Sequence, residues 1–260
     1  MAELVVASYN VHGGVDGWGR SFDVAAACRE LDADVLVLQE VWAPDGIELG
    51  ADVAQALGYE SHPLDMARAL MHPPAGDDAP GWGPPRHRRH GVGLRVEAQS
   101  DMTDGRGRPP QRGKTGIAML SRVPLRRVER VDLGRFPGDL TRRGVLVAAC
   151  DVAGRPLIVA GTHMPHLRHG SLVILRRLRR ALTTSGTDTV LVGDMNLWGP
   201  PLGLLFPGWH RPVRGRTWPA WRPLAQLDHI LVGSGLSFRA PQVVRVGDSD
   251  HRAVRATVVA

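Results

Sequence analysis

The sequence predicts an α/β fold, and two patterns support this prediction. Short apolar runs, bounded by glycine or polar residues, have the length and composition of buried strands. Stretches with helical spacing lie between them, so strand and helix patterns alternate. With 260 residues, 43% hydrophobic and 22% charged, the chain can form one substantial core. We find no repeat of fixed period and no linker, so we expect a single domain over residues 1–260.

The first part of the chain alternates between strands and helices. Apolar runs predict strands at 4–9 and 34–39. An alanine-rich helix over 21–31 begins at Ser21, a preferred N-cap residue. A second helix over 47–57 is followed by glycine, a typical helix stop.

The second part contains more strands. Residues 145–152 and 157–161 predict a hairpin, because the Ala-Gly-Arg-Pro segment between them supplies turn residues. Residues 171–182 predict an amphipathic helix with leucines 172, 175, 178 and 182 on one face. Its arginines fall elsewhere, which favours a solvated face over a nucleic-acid contact. The remaining predicted strands are 116–122, 189–193, 226–232 and 253–259, and a Pro/Gly/Trp-rich loop extends to 223.

Residues 62–113 form a predicted insertion rich in proline, glycine, arginine and histidine. Only 93–98 within it has the pattern of a strand. Such a long stretch without periodicity indicates a functional or solvated loop. It includes the basic cluster Arg86–His90, followed by Arg106, Arg108, Arg112 and Lys114. A basic arm that neutralises phosphates and a solvated loop explain this composition equally well.

Most apolar runs end in polar residues that are suited to phosphate chemistry. The run at 189–193 is followed by Asp194 and Asn196, which would point to the same side of an extended chain. The other runs end in or lead into Asn10, Glu40, His163, Asp228–His229 and Asp250–His251. Carboxylates bind hard cations or accept protons, amides donate hydrogen bonds and imidazoles transfer protons. Each motif alone is as readily a polar turn, but six of them in sequence are specific.

These motifs, in this order and over nearly the whole chain, resemble the endonuclease/exonuclease/phosphatase superfamily of deoxyribonuclease-like, metal-dependent phosphoesterases. The resemblance implies a four-layer α/β sandwich, in which two packed mixed sheets are flanked by helices. It also implies a Mg²⁺ site, which Mn²⁺ could occupy instead. Glu40 matches the principal metal ligand, Asn10 the residue that supports the metal and phosphate, and Asp250 the acid that completes the site.

The same resemblance implies the catalytic roles. Asp194 would orient or deprotonate the attacking water, and Asn196 would hydrogen-bond the phosphoryl oxygen. His251 would contact the phosphate or transfer a proton, with Asp228 fixing its tautomer. His163 would stabilise the phosphate or protonate the leaving group. Abasic-site endonucleases usually have tyrosine there, which disfavours a repair endonuclease, and the sequence identifies no acid partner for His163.

For several other histidines and tryptophans, the sequence gives weaker evidence of a functional role. His163, His166 and His169 invite a zinc hypothesis, but they lack a helical metalloprotease signature with its glutamate. We expect His12 and His229 to be structural or peripheral. Trp198, Trp218 and Trp221 flank the predicted site and could either stack on bases or pack within loops.

Charge and composition narrow the partners. The net charge is +6, which suits an anionic partner. Lys114 is the single lysine among 32 basic residues, so the base composition of the genome could also explain the excess of arginine. We therefore expect a phosphodiesterase acting on nucleic acid; the alternatives are a phosphoesterase acting on anionic phospholipid or inositol phosphate, and a catalytically silent nucleic-acid-binding module. Cys28 and Cys150 lie in apolar stretches and predict buried thiols. Strand-like sequence from Leu4 onward and the absence of a long apolar run lead us to expect a cytoplasmic monomer.

Overall fold

The computed structural model describes residues 3–17, 19–44, 48–72, 93–96, 111–167, 170–183, 186 and 188–260. The strands are β1 (Glu3–Asn10), β2 (Val35–Pro44), β3 (Glu60–His72), β4 (Gly93–Val96), β5 (Gln111–Ser121), β6 (Leu125–Gly134), β7 (Arg143–Val152), β8 (Arg155–His163), β9 (Thr189–Asp194), β10 (Asp228–Val232), β11 (Ser237–Val244) and β12 (Ala253–Val259). The helices are α1 (Val24–Leu31), α2 (Leu49–Leu57), α3 (Ser171–Leu182) and α4 (Gly199–Leu205), and a 3₁₀ turn covers His12–Gly14.

Two mixed sheets contain these strands. Within the described residues, the first sheet has seven strands in the order β11-β12-β1-β2-β5-β3-β4, and the second has five in the order β10-β9-β8-β7-β6. The pairs β1–β2 and β8–β9 are parallel, and the other pairs are antiparallel. The predicted α/β class and four-layer sandwich are therefore confirmed.

The layers are held together by three apolar clusters. Val35 and Val37 of β2 point toward the second sheet, whereas Leu36 and Leu38 point toward α1 and α2. This alternation follows from the two-residue period of a strand, and it explains why strands buried on both faces are continuously apolar. A third cluster joins the outer face of the second sheet to α3 and α4 through residues such as Leu178.

The predicted insertion differs most from the structure. Residues 62–72 continue β3, and 111–113 begin β5, so both ends of the predicted 62–113 segment are paired strands. The sequence of β3 contains proline and has no strand pattern, so the strand forms because its backbone hydrogen-bonds to β5. Residues 93–96 form β4 as predicted, while 97–98 and the basic cluster from Arg86 to Arg108 lie outside the described residues. Lys114 forms an exposed ion pair with Asp65.

Besides β3, three further elements were absent from the prediction. Strands β6 and β11 are the edge strands of their sheets, and their sequences are rich in exposed arginine or polar residues. Such edge strands lack the buried stripe by which a strand is predicted. Helix α4 is seven residues long and contains two prolines and two glycines, so the segment around it has the composition of a loop.

The predictions for the hairpin and for the helices agree with the structure only in part. The predicted hairpin is confirmed, but its turn contains only Ala153 and Gly154, both at positive φ, because Arg155 and Pro156 already pair with β7. The predicted N-cap Ser21 is wrong: α1 starts at Val24, and the Asp23 carboxylate accepts the amide hydrogen of Ala26. Helix α3 is confirmed, but Leu172 is 41% exposed and does not belong to its buried face.

Both cysteines are buried free thiols, as expected. Helix α2 starts at Leu49, and the predicted start at Ile47 falls outside the described residues. No helix in the described part of the chain has the length and apolar character required to cross a bilayer.

Candidate active site

The two sheets bring the predicted residues to one edge of the sandwich. Asn10 ends β1, Asp194 ends β9 and His163 ends β8. Asp228 begins β10, which is antiparallel to β9, so it lies directly opposite Asp194. His251 precedes β12, which is antiparallel to β1. Each of these five residues therefore reaches the same edge because of strand direction and register.

The Oδ2 atom of Asp194 is the centre of this cluster. The Asn10 Nδ2 atom donates to it at 3.2 Å, and the Nε2 atoms of His163 and His251 lie at 3.7 and 3.9 Å. Asn10 Nδ2 also donates to Glu40 Oε1 at 3.1 Å. A single amide thus links the two carboxylates that were predicted to act on water and on the metal.

Glu40 is directed to this edge by an irregularity in β2. Its φ is +54°, and the pairing register of β2 with β5 shifts between Gln39 and Val41. A bulge of this kind turns a side chain out of the alternation of a strand. The neighbouring Gln39 is buried and bonded to Ser8, with its Nε2 donating to Ser8 Oγ at 3.0 Å. This buried pair ties β2 to β1 immediately before the bulge.

The Gly193–Asn196 segment makes a tight turn at the end of β9. A Cβ at Gly193 would lie 2.1 Å from the Thr162 carbonyl oxygen, so the close approach of β8 requires glycine. Asn196 is not in extended backbone, as the sequence led us to expect, but at φ +48°, and its amide N–H donates to Asp194 Oδ1 at 2.8 Å. An Asx-type turn, rather than strand alternation, places the two side chains together.

The Asn196 side chain is anchored on the adjacent loop. Its Nδ2 donates to the Met164 carbonyl at 2.8 Å and makes a longer contact of 3.3 Å with His163 Nε2. Because an amide nitrogen only donates, His163 Nε2 is the acceptor, and the ring proton is on Nδ1. Among the described residues, Asp194 is the one carboxylate within 4 Å of the His163 ring nitrogens.

His163 is a neutral base in this environment. Burial lowers its pKa well below the usual value, and the nearby Arg143 guanidinium, His166 and His251 add to the effect. Arg143 Nη1 donates to the His163 carbonyl at 3.3 Å, and its Nε donates to Asp139 at 3.0 Å in a buried ion pair. No sequence signal marks this pair, since Arg143 is one arginine among many.

His251 has the opposite electrostatic character. Its Nδ1 lies 2.9 Å from Asp228 Oδ2, which makes Asp228 the acceptor of the Nδ1 proton. Burial favours the neutral ring, but the negative charges of Asp228 and Asp194 outweigh burial and raise its pKa well above the usual value. His251 is therefore an imidazolium at neutral pH, with Nε2–H directed toward the Asp194 side of the site.

Asp194 has a pKa close to neutral pH. Burial and the charge of Asp228 raise its pKa to about 7, although His251 and the hydrogen bonds from Asn196 and Asn10 act in the opposite direction. The second oxygen of Asp228, Oδ1, is buried and has no hydrogen-bond partner among the described residues. The charge of Asp228 is thus compensated on one side only, by His251.

Asp250 occupies the rim next to His251. Its Oδ2 accepts a hydrogen bond from Trp218 Nε1 at 3.2 Å, and its Oδ1 lies 4.0 Å from His12 Nδ1. The Trp218 ring centroid is 6.5 Å from that of His251. His12, which we expected to be structural or peripheral, therefore belongs to the rim of the site through Asp250.

His229 has a structural position. It is fully buried, and its Nε2 donates to the Leu197 carbonyl at 3.0 Å, in the loop that follows Asn196. Burial, followed by the charge of Arg211, lowers its pKa to about 4. His229 is consequently neutral and holds the loop after β9 through the Leu197 carbonyl.

Two groups of side chains could hold a cation. Asp194, Asp228 and His251 have ligand atoms within 4.8 Å of one another, the one such group found among the described residues. The hydrogen bond between His251 Nδ1 and Asp228 Oδ2 already explains the proximity of these two residues. Glu40 and Asp194 fit a hard cation better, because they offer carboxylate oxygens on the two sides of Asn10 and because Glu40 is half-exposed.

The chain is similar to a known family, to a curated relative and to solved structures. The model of the Endonuclease/Exonuclease/phosphatase family matches residues 7–251. The uncharacterized protein YbhP of Escherichia coli K12 is 28% identical over 277 residues, covering 97% of this chain and 95% of YbhP. Danio rerio TDP2 complexed with single-strand DNA product has a TM-score of 0.59, 16% identity and full coverage of both chains. Mannosyl-6-phosphatase Bt3783 of Bacteroides thetaiotaomicron has a TM-score of 0.63 and 14% identity, covering 99% of this chain and 100% of that one.

Proposed function

This chain belongs to the endonuclease/exonuclease/phosphatase family, and on that premise we propose that it is a divalent-metal-dependent phosphodiesterase that cleaves nucleic acid. The observation that carries the proposal is the arrangement around Asp194 Oδ2, with a neutral imidazole on one side and a charged imidazole on the other. Hydrolysis of a phosphate ester requires a base for water and positive charge for the phosphoryl group, and this arrangement supplies both.

Asp194 acts as the base. Its pKa of about 7 allows it to accept a proton from water near neutral pH, and Asn10 and the Asn196 amide fix the orientation of its carboxylate. After the proton transfer, the neutral acid is compatible with its buried position beside Asp228.

His251 and Asn196 contact the phosphoryl group. The Nε2–H of His251 donates to a phosphate oxygen, and Asp228 maintains both the tautomer and the positive charge of the ring. Asn196 exchanges its longer contact with His163 for a phosphate oxygen while it keeps its bond to Met164. The unprotonated Nε2 of His163 is then free to accept a hydrogen bond beside the phosphate.

Glu40 would hold the metal, with Asp194 as the neighbouring carboxylate across Asn10. When bound, Mg²⁺ or Mn²⁺ supplies positive charge that neutralises the phosphate and stabilises the departing oxygen. Asn10 presents its amino group to both carboxylates and its Oδ1 to the His12 amide, so it positions the carboxylates. Asp250 completes the acidic rim on the His251 side.

Nucleic acid is the substrate class that the surface favours. The net charge of +6 is provided almost entirely by arginine, which binds phosphates through a planar pair of donors. Trp198 and Trp221 are 49% and 38% exposed, and they adjoin Asn196 and the Asp250 loop respectively. Exposed aromatic rings beside the site provide surfaces on which bases can stack. The fold shared with TDP2, which has been crystallised with a single-strand DNA product, agrees with this choice.

The proposal is tested by a substrate screen with and without metal. The purified protein is incubated with single-stranded DNA, duplex DNA, RNA and anionic phospholipid vesicles, each with Mg²⁺ and with EDTA. We expect Mg²⁺-dependent cleavage of at least one nucleic acid. Cleavage that persists in EDTA contradicts the metal requirement, lipid turnover with intact nucleic acid transfers the assignment to lipids, and binding without any turnover indicates a silent binding module.

Site variants test the residues. Glu40→Gln, Asp194→Asn and His251→Ala should each reduce turnover by at least roughly a hundredfold while the circular dichroism spectrum is unchanged. His210→Ala is the matched control, because His210 is exposed and is bridged to Val232 at the opposite end of β10. A site variant with the wild-type rate removes that residue from the mechanism.

A further inference from the structure

Arg211 is an arginine without a counter-ion beside the catalytic loop. It is half-buried, and among the described residues no carboxylate lies within ion-pair distance of it. Arg20, Arg142 and Arg143, by contrast, each pair with an aspartate of this chain. A partly desolvated guanidinium that lacks an internal anion is stabilised by an anion from outside.

The guanidinium packs against Gly199, which has no side chain in its way. A Cβ at Gly199 would lie 1.3 Å from Arg211 Nη1, 1.9 Å from its Cζ and 2.2 Å from Nη2. The planar group therefore lies against the bare α-carbon of that glycine. Gly199 is buried and its φ is not in the left-handed region, so a larger residue there would displace the Arg211 side chain without straining the backbone.

This position is close to the reacting groups. Gly199 follows Asn196 by three residues, which span at most about 11 Å. The intervening loop is fixed by the bond from His229 to the Leu197 carbonyl and by the bond from Asn196 to the Met164 carbonyl. Trp198, immediately before Gly199, exposes about half of its surface. The Arg211 guanidinium therefore lies against a glycine that directly follows an exposed aromatic residue, Trp198.

We propose that Arg211 and Trp198 form a subsite for a non-scissile phosphate and its base in the nucleic-acid substrate. This inference rests on the proposed function and specifies how the substrate is held outside the reacting phosphate. The fork of Arg211 fits two oxygens of a phosphodiester, and Trp198 provides the stacking surface. Burial and the neighbouring Arg214 lower the pKa of Arg211, as expected of a cation without a local anion.

The test compares Arg211→Gln with a control that removes the same charge elsewhere. Arg126→Gln is suitable, because Arg126 is exposed, has no acidic partner among the described residues and lies at the end of β6 away from the site. For cleavage of a fluorescent single-stranded oligonucleotide, Arg211→Gln should raise KM roughly tenfold with little change in kcat. The slope of log(kcat/KM) against log salt should fall by about 0.7, the value for one lost phosphate contact on a single strand. Arg126→Gln should keep both values.

Gly199→Ala and a small substrate distinguish a subsite from a structural role and from general electrostatic attraction. Gly199→Ala keeps the charge but displaces the guanidinium, so it should also raise KM. Hydrolysis of bis(p-nitrophenyl) phosphate, which has no flanking phosphate, should be unchanged in Arg211→Gln. An equal loss on both substrates assigns Arg211 a structural role and overturns the subsite. An unchanged KM in Gly199→Ala, with a raised KM in Arg211→Gln, reduces the effect to general attraction and also overturns it.

Binding in EDTA keeps this inference separate from the proposed function. The dissociation constant of the oligonucleotide, measured by fluorescence anisotropy without metal, should rise roughly tenfold in Arg211→Gln. If the wild-type protein binds through Arg211 but cleaves no nucleic acid, the proposed activity fails and the subsite stands. If it cleaves nucleic acid and Arg211→Gln binds as the wild type does, the subsite fails and the activity stands.

Discussion

The burial of His229 predicts a specific loss of stability in mild acid. Its ring is fully buried and neutral, with a pKa lowered to about 4 from 6.5 by burial and by the charge of Arg211. The folded protein therefore binds fewer protons at this site than the unfolded chain does between these two values. The stabilisation is complete above pH 6.5 and is lost as the pH falls from 6.5 toward 4.

The magnitude follows from the two pKa values. Between pH 7.5 and pH 5.0, proton linkage at His229 lowers the free energy of unfolding by about 2 kcal/mol. This is a large share of the roughly 5–15 kcal/mol that is typical of a domain. Other buried groups, including Asp194, titrate as well, so the prediction concerns the difference between two proteins rather than one pH profile.

His229→Gln provides the comparison. Its amide nitrogen can donate to the Leu197 carbonyl as His229 Nε2 does at 3.0 Å, but it does not titrate. Urea denaturation of both proteins in EDTA at pH 7.5 and 5.0 should show the wild type losing about 2 kcal/mol more than the variant. Parallel pH dependence in the two proteins would show that His229 is not buried in its neutral form and would refute this reasoning.

Three further predictions follow from the site. Asp228→Asn should lower kcat roughly 10–100-fold and move the alkaline limb of the pH–rate profile to lower pH, because the pKa of His251 loses its strongest support; an unchanged profile would exclude Asp228 from that role. Gly193→Ala should destabilise the fold by about 3 kcal/mol or more in urea denaturation, since its Cβ would meet the Thr162 carbonyl at 2.1 Å; wild-type stability would contradict that contact. Mg²⁺ should raise the melting temperature of the wild type but not of Glu40→Gln, and an equal shift in both would place the cation elsewhere.

The strands buried on both faces were predictable because their sequences leave no alternative. Val35–Leu38 and Val190–Val192 are continuous apolar runs, and each is divided between two clusters by strand alternation. The polar residues at their ends could be expected to meet, since parallel strands and their antiparallel partners present the corresponding ends at one edge. The charged edge strands β6 and β11 lack such a pattern, and only their pairing partners reveal them.

Apart from the pairing of Asp228 with His251, which the family resemblance implied, the contacts within the site could not be predicted, because they depend on register and on turns. Asn196 reaches Asp194 through a left-handed turn, whereas we expected extended backbone. The ring of His163 faces Asn196 and Asp194, residues that are about thirty positions away and are aligned with it by the β8–β9 register. The role of Arg211 depends on a missing Cβ, which the sequence shows only as one glycine among 31.

The position of the site explains its electrostatics. Val190 and Val192 face the opposite sheet, and Asp194 is the next residue in that row. On β10, Val232 and Ile230 face the same core, and Asp228 is the next residue in their row. The two carboxylates are thus the polar ends of rows that form the interior between the sheets.

Residues in such a position are desolvated by the sandwich itself rather than by a loop. Burial is accordingly the leading cause of the raised pKa of Asp194, and the charge of Asp228 is next because it lies in the adjacent row. The raised pKa of Asp194 is therefore a consequence of how the two sheets pack in this chain. Trp198 and Arg211 both lie in the connection between β9 and β10, and such a connection can change substrate recognition without disturbing the carboxylates.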